Sequence, residues 1–247
     1  MECKDAVVVV TGSSDRLGRQ IALTLANLGS KVVVHCHTDI EGGKKTVSLI
    51  EETGGEASLV ACDLTTMEGI ALLIDKTLDR FGRWDALINC ASLFETVGMD
   101  DVDQEQWQRD QSIHQRAPFF LSKALYRYAK GRPAGESCAC VVNITDTGVR
   151  KPTSSRPSYY CAKTALEGQS VILGRTLAPY VRVNAVAPGA IIPASKADES
   201  YFLQLQERLP LGQLATVGDV VDAVIFLLKN DSITGQTIVV DGGEHLL

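Results

Sequence analysis

Seven short runs rich in β-branched residues, each followed by a longer amphipathic stretch, constrain this chain more than any other feature. The runs are Ala6 to Val10, Lys31 to His35, Ala57 to Ala61, Asp85 to Asn89, Cys138 to Ile144, Arg182 to Val186 and Thr237 to Val240. They are apolar without alternation, so both faces of each predicted strand must be covered, as in a parallel sheet flanked by helices. The intervening stretches supply those helices. Leu17 to Leu28 repeats apolar residues at helical spacing and stops at Gly29, a C-cap glycine, and Gly218 to Lys229 reads likewise. Gln104 to Tyr128, bent at Pro118, and Tyr159 to Leu177 are longer amphipathic segments. Thr147 to Pro157, where Gly, Pro, Ser and Thr accumulate, is the most loop-like part. The prediction is an α/β Rossmann fold: a doubly wound, mostly seven-stranded parallel sheet with helices on both faces, formed by a single domain over residues 1–247.

Composition narrows the partners. A formal net charge of −6 and a pI of about 5.3 give no basic footprint for nucleic acid. The seven cysteines, Cys3, Cys36, Cys62, Cys90, Cys138, Cys140 and Cys161, include no CxxC pair and read as small thiols in a reducing compartment rather than a disulfide framework or a metal site. No secretory pattern precedes the first strand, and no apolar run reaches the length of a membrane span. The expectation is a cytoplasmic protein that acts on a small molecule and binds neither nucleic acid nor membrane.

The first strand leads into Thr11-Gly12-Ser13-Ser14-Asp15-Arg16-Leu17-Gly18. Gly12 permits a tight turn, Gly18 a close helix contact, and free amides at the helix start can receive a pyrophosphate. A turn with two glycines also forms without any ligand. Further along, Tyr159 and Lys163 are four apart and share one helix face. A lysine ammonium beside a phenol would lower its pKa from about 10 and make proton transfer near neutral pH practicable. Tyr160 is the lesser candidate, because its spacing to Lys163 puts it on a different face.

These features together resemble the short-chain dehydrogenase/reductase family, whose fingerprint is TGxxxGxG with a distant YxxxK. Asp63-Leu64, Asn89-Cys90-Ala91-Ser92, Asn184, Pro188-Gly189 and Thr234-Gly235 ahead of a terminal Val-Asp-Gly-Gly extend the resemblance over nearly the whole chain. It implies that Gly12, Leu17 and Gly18 cradle a dinucleotide, and that Asp63, beside Leu64, holds the adenine amino group. It also implies that Cys90, Ala91 and Ser92 lie along the cofactor and that the Pro188-Gly189 loop closes over the nicotinamide. Tyr159 would supply the proton and Lys163 would also anchor the nicotinamide ribose. A homotetramer is the assembly that the resemblance implies.

Two departures refine the expectation. Arg16 stands at the family's middle glycine, where a guanidinium could read the adenosine 2′-phosphate of NADPH. The second strand ends in His35-Cys36-His37-Thr38, without the early acid that grips a free ribose diol. NADPH is therefore the expected cofactor, with His37 and Thr38 near its phosphate. A solvated loop explains the two histidines equally well, and Asp15 and Asp39 would repel a phosphate that they faced.

The second departure is Asp146, thirteen residues before Tyr159, where most members carry serine. An ionised carboxylate would repel the alkoxide formed in ketone reduction. It suits a carbon–nitrogen double bond, whose nitrogen must take a proton as hydride reaches carbon. With TGxxxRxG, this aspartate looks like the pteridine reductase branch, which includes dihydromonapterin reductases. That resemblance implies that Ser92 contacts the pterin or the cofactor and that Phe94 stacks on the pterin face. Alternatively, Thr145 or Thr147 takes the serine's role and Phe94 is a core residue. His114 aligns with the asparagine that helps hold a relay water in the family, and could hold water, shuttle a proton or mark a different relay. Gly189-Ala190-Ile191-Ile192 lacks the polar residue that often follows the loop in that branch. The expected activity is NADPH-dependent reduction of a pterin or dihydrofolate-like ring. A carbonyl reductase of the same fold and a non-catalytic NADP-sensing protein are the alternatives.

Overall fold

Side-chain parity along the strands divides the interior into two cores. Val8 and Val10 face one core and Val9 the other; Val32 and Val34 oppose Val33, and Ala86 and Ile88 oppose Leu87. A strand with apolar residues at both parities is stable only between two helical layers. The computed structural model, which describes residues 1–133, 138–192 and 199–247, has that arrangement.

The strands are β1 (Val7–Val10), β2 (Lys31–Cys36), β3 (Glu56–Ala61), β4 (Ala86–Asn89), β5 (Ala139–Ile144), β6 (Val181–Pro188) and β7 (Thr237–Val240). They form one seven-stranded sheet in the order β3-β2-β1-β4-β5-β6-β7, and every pairing is parallel. The order reverses between β1 and β4, which opens a crevice beyond their carboxyl ends. This is the expected single-domain Rossmann fold. Asp85, Cys138 and Ala6 fall just outside their strands, and β6 runs on to Pro188.

One helical layer contains α1 (Arg16–Asn27), α2 (Ile40–Glu52) and α8 (Val217–Lys229), with Ile21, Leu25, Ile50, Val220, Val224 and Leu227 in its core. The other contains α3 (Met67–Phe81), α5 (Ala117–Lys130) and α6 (Pro157–Thr176), with Leu73, Leu121, Leu125 and Leu173 buried against the sheet. The α1 helix ends as its sequence predicts. Gly29 takes φ of +86°, and the N–H of Ser30 reaches back to the Leu25 carbonyl at 3.0 Å.

The stretch Gln104 to Tyr128 is not one bent helix. It divides into α4 (Gln104–Gln111), a π-helical turn (Ser112–Arg116) and α5, and the Ala117 N–H bonds to the Ser112 carbonyl five residues back. Pro118 has no N–H for the carbonyl four residues before it, so the regular ladder is interrupted there. The irregularity therefore lies ahead of the proline and includes His114. A short 3-10 turn (Thr147–Val149) lies within the predicted loop, and Pro157 opens α6 at a position that needs no donor. Between β6 and α8 lies α7 (Glu199–Arg208), and among the described residues no helix is long and apolar enough to cross a membrane.

Leu87, on central strand β4, is fully buried. Leu87→Ala is expected to destabilise the fold by about 2–5 kcal/mol, read as a lower urea midpoint at unchanged slope. An unchanged midpoint would contradict the double-sided cover of β4.

Candidate active site

The strand ends at the reversal point define a cavity of about 1240 Å³. Every residue expected at the cofactor or substrate lines it except His114, which lies behind its wall. At the floor, the Thr11 hydroxyl accepts the N–H groups of Cys90 and Ala91, both at 3.0 Å. Gly12, at φ of +63°, comes so close to the chain leaving β4 that a Cβ would lie 2.7 Å from the Ala91 Cα. A Cβ at Gly18 would lie 2.1 Å from the Gly12 carbonyl oxygen. Asp15 is the N-cap residue of α1 but makes no capping side-chain bond, so the first-turn amides stay open to the cavity. A cradle that tolerates no Cβ, beside an uncapped helix N-terminus, fits a dinucleotide pyrophosphate.

Arg16 occupies the left-handed region, φ +46°, that the family's glycine adopts freely. For arginine this costs on the order of 1 kcal/mol. Its guanidinium is directed to the loop after β6, where Nη2 donates to the Ile192 carbonyl at 3.2 Å. A contact with the 2′-phosphate would require that bond to be exchanged.

At the end of β2 the two histidines part company. His35 is buried, accepts the Gly12 N–H at Nδ1 (3.1 Å) and bonds to the Cys62 carbonyl through Nε2 (3.1 Å). Burial lowers its pKa to about 4, so it is a neutral strut under the turn. His37 is exposed, with Nε2 3.9 Å from Asp63, and Thr38 lies beside it on the cavity rim. Asp63 spends one oxygen on the Thr65 amide (2.8 Å) and hydroxyl (2.7 Å). Asp39 caps α2 through the Gly42 N–H at 3.0 Å, so that bond engages its charge.

At the other end, β5 delivers Asp146 and α6 delivers Tyr159 and Lys163. The Tyr159 hydroxyl donates to Asp146 Oδ2 at 2.6 Å, and the Gly148 N–H donates to Oδ1 at 2.6 Å. Thr145 donates to the Val186 carbonyl at 3.2 Å and Thr147 to Asp241 at 2.7 Å. Neither threonine hydroxyl is therefore turned to the role of the missing serine.

Lys163 differs from its expected effect on Tyr159. Its ammonium donates to the Ile144 carbonyl at 2.8 Å. Burial of the phenol, followed by the neighbouring Asp146, drives the Tyr159 pKa well above its usual value instead of below it. Lys163 is itself lowered to about 8 by burial, although Asp146 opposes the shift.

Phe94 is no core residue: it is 48% exposed and stands edge-on to Tyr159, ring centroids 5.0 Å apart. Its ring carries the Arg156 guanidinium at 4.0 Å, and Arg156 also bonds to Thr96 at 2.6 Å. Sequence reasoning missed Arg156, because a cation–π contact between segments far apart in the chain leaves no local pattern. It also missed Glu244, which accepts the Ala190 N–H at 3.1 Å from a short C-terminal turn.

Known proteins are similar to this chain over most of its length. The family profile described as enoyl-(acyl carrier protein) reductase matches residues 12–245. The crystal structure of FolM alternative dihydrofolate reductase 1 from Brucella canis, complexed with NADP, is 33% identical over 100% of this chain and 96% of that one, with a TM-score of 0.91. The angucycline C-6 ketoreductase LanV with bound NADP is 27% identical over 100% and 98%, with a TM-score of 0.87. A 3-oxoacyl-[acyl-carrier-protein] reductase from Synechocystis is 31% identical over 96% of each chain. With its parallel sheet, its glycine cradle and its paired Tyr159 and Lys163, the chain belongs to the short-chain dehydrogenase/reductase superfamily, closely related to the FolM-like pteridine reductase branch.

Proposed function

We propose that this oxidoreductase uses NADPH to reduce a carbon–nitrogen double bond in a pterin or dihydropterin ring. The observation that carries the reading is the bond between Tyr159 and Asp146 at 2.6 Å. It places a carboxyl where ketone reduction calls for a neutral donor. The likeness to a FolM protein solved with NADP supports both cofactor and substrate class.

When bound, NADPH supplies hydride to the ring carbon. The residues of this chain do the rest. Of the residues lining the cavity, Gly12, Leu17 and Gly18 would admit the pyrophosphate, Asp63 and Leu64 would hold the adenine, and His37 and Thr38 would read a 2′-phosphate. Cys90, Ala91 and the Pro188-Gly189 loop, on the same cavity, would border the nicotinamide. Phe94, propped by Arg156, offers a flat apolar face to a heteroaromatic ring.

Tyr159 keeps its proton across the neutral range, since burial and Asp146 both oppose phenolate. It is the proton donor: its O–H bond breaks as the ring N–H bond forms, Asp146 holds the hydroxyl in place, and the phenolate left behind, beside the Lys163 ammonium, takes a proton back from solvent. A negative Asp146 stabilises positive charge growing on nitrogen and destabilises an alkoxide. Lys163, whose ammonium is held by the Ile144 carbonyl, would present it to the nicotinamide ribose. On α6, Val171 and Ile172 are 54% and 64% exposed, a strip suited to a second copy in a tetramer.

Reduction of a ketone is the second reading, favoured by the likeness to LanV and to the 3-oxoacyl reductase. Asp146→Ser separates the two. On the pterin reading it lowers kcat/KM for dihydropterins about 10-fold or more while raising that for ketones; unchanged turnover of both would refute the charge argument. Tyr159→Phe is expected to reduce kcat by about 100-fold or more with NADPH affinity retained, and full activity would overturn the donor assignment. Lys163 is charged below its pKa of about 8 and neutral above it. The free enzyme's kcat/KM should therefore be level below that value and fall as pH rises through it. A profile that stays level to about pH 9.5 would remove the ammonium from the mechanism.

A further inference from the structure

His114 has both ring nitrogens committed. Nδ1 lies 3.1 Å from the Asp110 carbonyl, an obligate acceptor, so Nδ1 carries the proton. Nε2 lies 3.2 Å from the Leu93 N–H, an obligate donor, so Nε2 is the acceptor. The Ser92 hydroxyl, 3.0 Å from the same Nε2, must then give its single proton to it. The lone pairs of Ser92 Oγ lie on the cavity side, where the Tyr159 hydroxyl is its hydrogen-bonding neighbour and Phe94 lines the same wall.

We propose that His114 is a positioning residue that fixes Ser92 as a hydrogen-bond acceptor, so that the site selects a substrate presenting an N–H donor at that point. The proposal deepens the pterin reading and rests on it: a reduced pterin carries ring and exocyclic N–H groups, whereas a simple ketone carries none. Selection follows because a polar group built to pair is left unsatisfied by the substrate that lacks its partner.

The surroundings keep the imidazole neutral. It is almost fully buried in the π-helical turn, and burial lowers its pKa well below the usual value. Lys163 on α6 lowers it further, while the Asp110 carbonyl opposes the shift. The Asp110 carboxylate lies 4.0 Å from Nδ1, and the Tyr159 ring stands edge-on at 5.1 Å. An imidazole without a free nitrogen is not a proton shuttle. Its Nδ1–H instead serves the Asp110 carbonyl near the end of α4, just ahead of the turn where the helical ladder is interrupted, and its Nε2 ties that turn to the chain leaving β4.

The test compares His114→Gln, whose terminal amide can replace Nε2, with His114→Asn, whose amide reaches only the Nδ1 position. The readout is the ratio of kcat/KM for dihydrobiopterin to that for a ketone, beside full pH profiles. Ser92→Ala and His114→Asn should each lower the ratio by about 10-fold, and the double variant by no more than either alone. His114→Gln should keep it within about 3-fold. The pH profile should show no limb near about 6.5 that His114 variants remove. Such a limb, an unchanged ratio in His114→Asn, or a full Ser92→Ala effect in the His114→Asn background would overturn the proposal. A wild-type enzyme that reduces ketones and no dihydropterin would overturn the functional reading and, with it, the acceptor role. Normal dihydropterin turnover with an unchanged ratio in the variants would sink the His114 inference alone.

Discussion

The Thr11 hydroxyl accepts two amides from the chain leaving β4, and this bridge sets the width of the crevice on which the whole site is built. At a reversal of strand order the crossovers diverge to opposite faces, so no helix covers the gap. A hydrogen bond is directional where apolar packing is not, and it holds Ala91 against Gly12 at a separation that excludes a methyl group. His35 supports the same turn from below. Cradle, adenine side and catalytic side all take their positions from this junction.

Beyond the junction, electrostatics divides the cavity. The polar groups buried under the dinucleotide end, Thr11, Ser13 and His35, are uncharged. At the catalytic end Lys163 and Asp146 share a space with a neutral phenol and a neutral imidazole. Burial alone would discharge the lysine at a lower pH still, and Asp146 opposes that shift. Asp146 thus acts twice, as acceptor for Tyr159 and as counter-charge for Lys163.

The parallel sheet was legible because unbroken apolar runs have few other uses, and the glycine cradle because its spacing maps onto one turn. Asp146, Tyr159 and Lys163 meet as their spacing suggests. The state of Tyr159 was not legible: lysine proximity predicts a lowered pKa, but burial and the carboxylate outweigh it, and depth of burial is a tertiary property. His114 was visible as an oddity, yet its tautomer depends on a carbonyl and an amide that contribute no side chain to read. The direction of Arg16 towards Ile192 likewise depends on a loop 176 residues away.

The stack of Arg156 on Phe94 separates two kinds of inheritance within one cavity. The acid pair is anchored at the end of β5 and on α6, whereas the aromatic wall lies on the chain after β4 and is joined to Arg156, the N-cap residue of α6, by the cation–π contact and the bond to Thr96. Loops tolerate change that sheet strands do not. Phe94 and Arg156 can therefore change together, as a pair outside the sheet, without altering the strand and helix that hold Asp146, Tyr159 and Lys163.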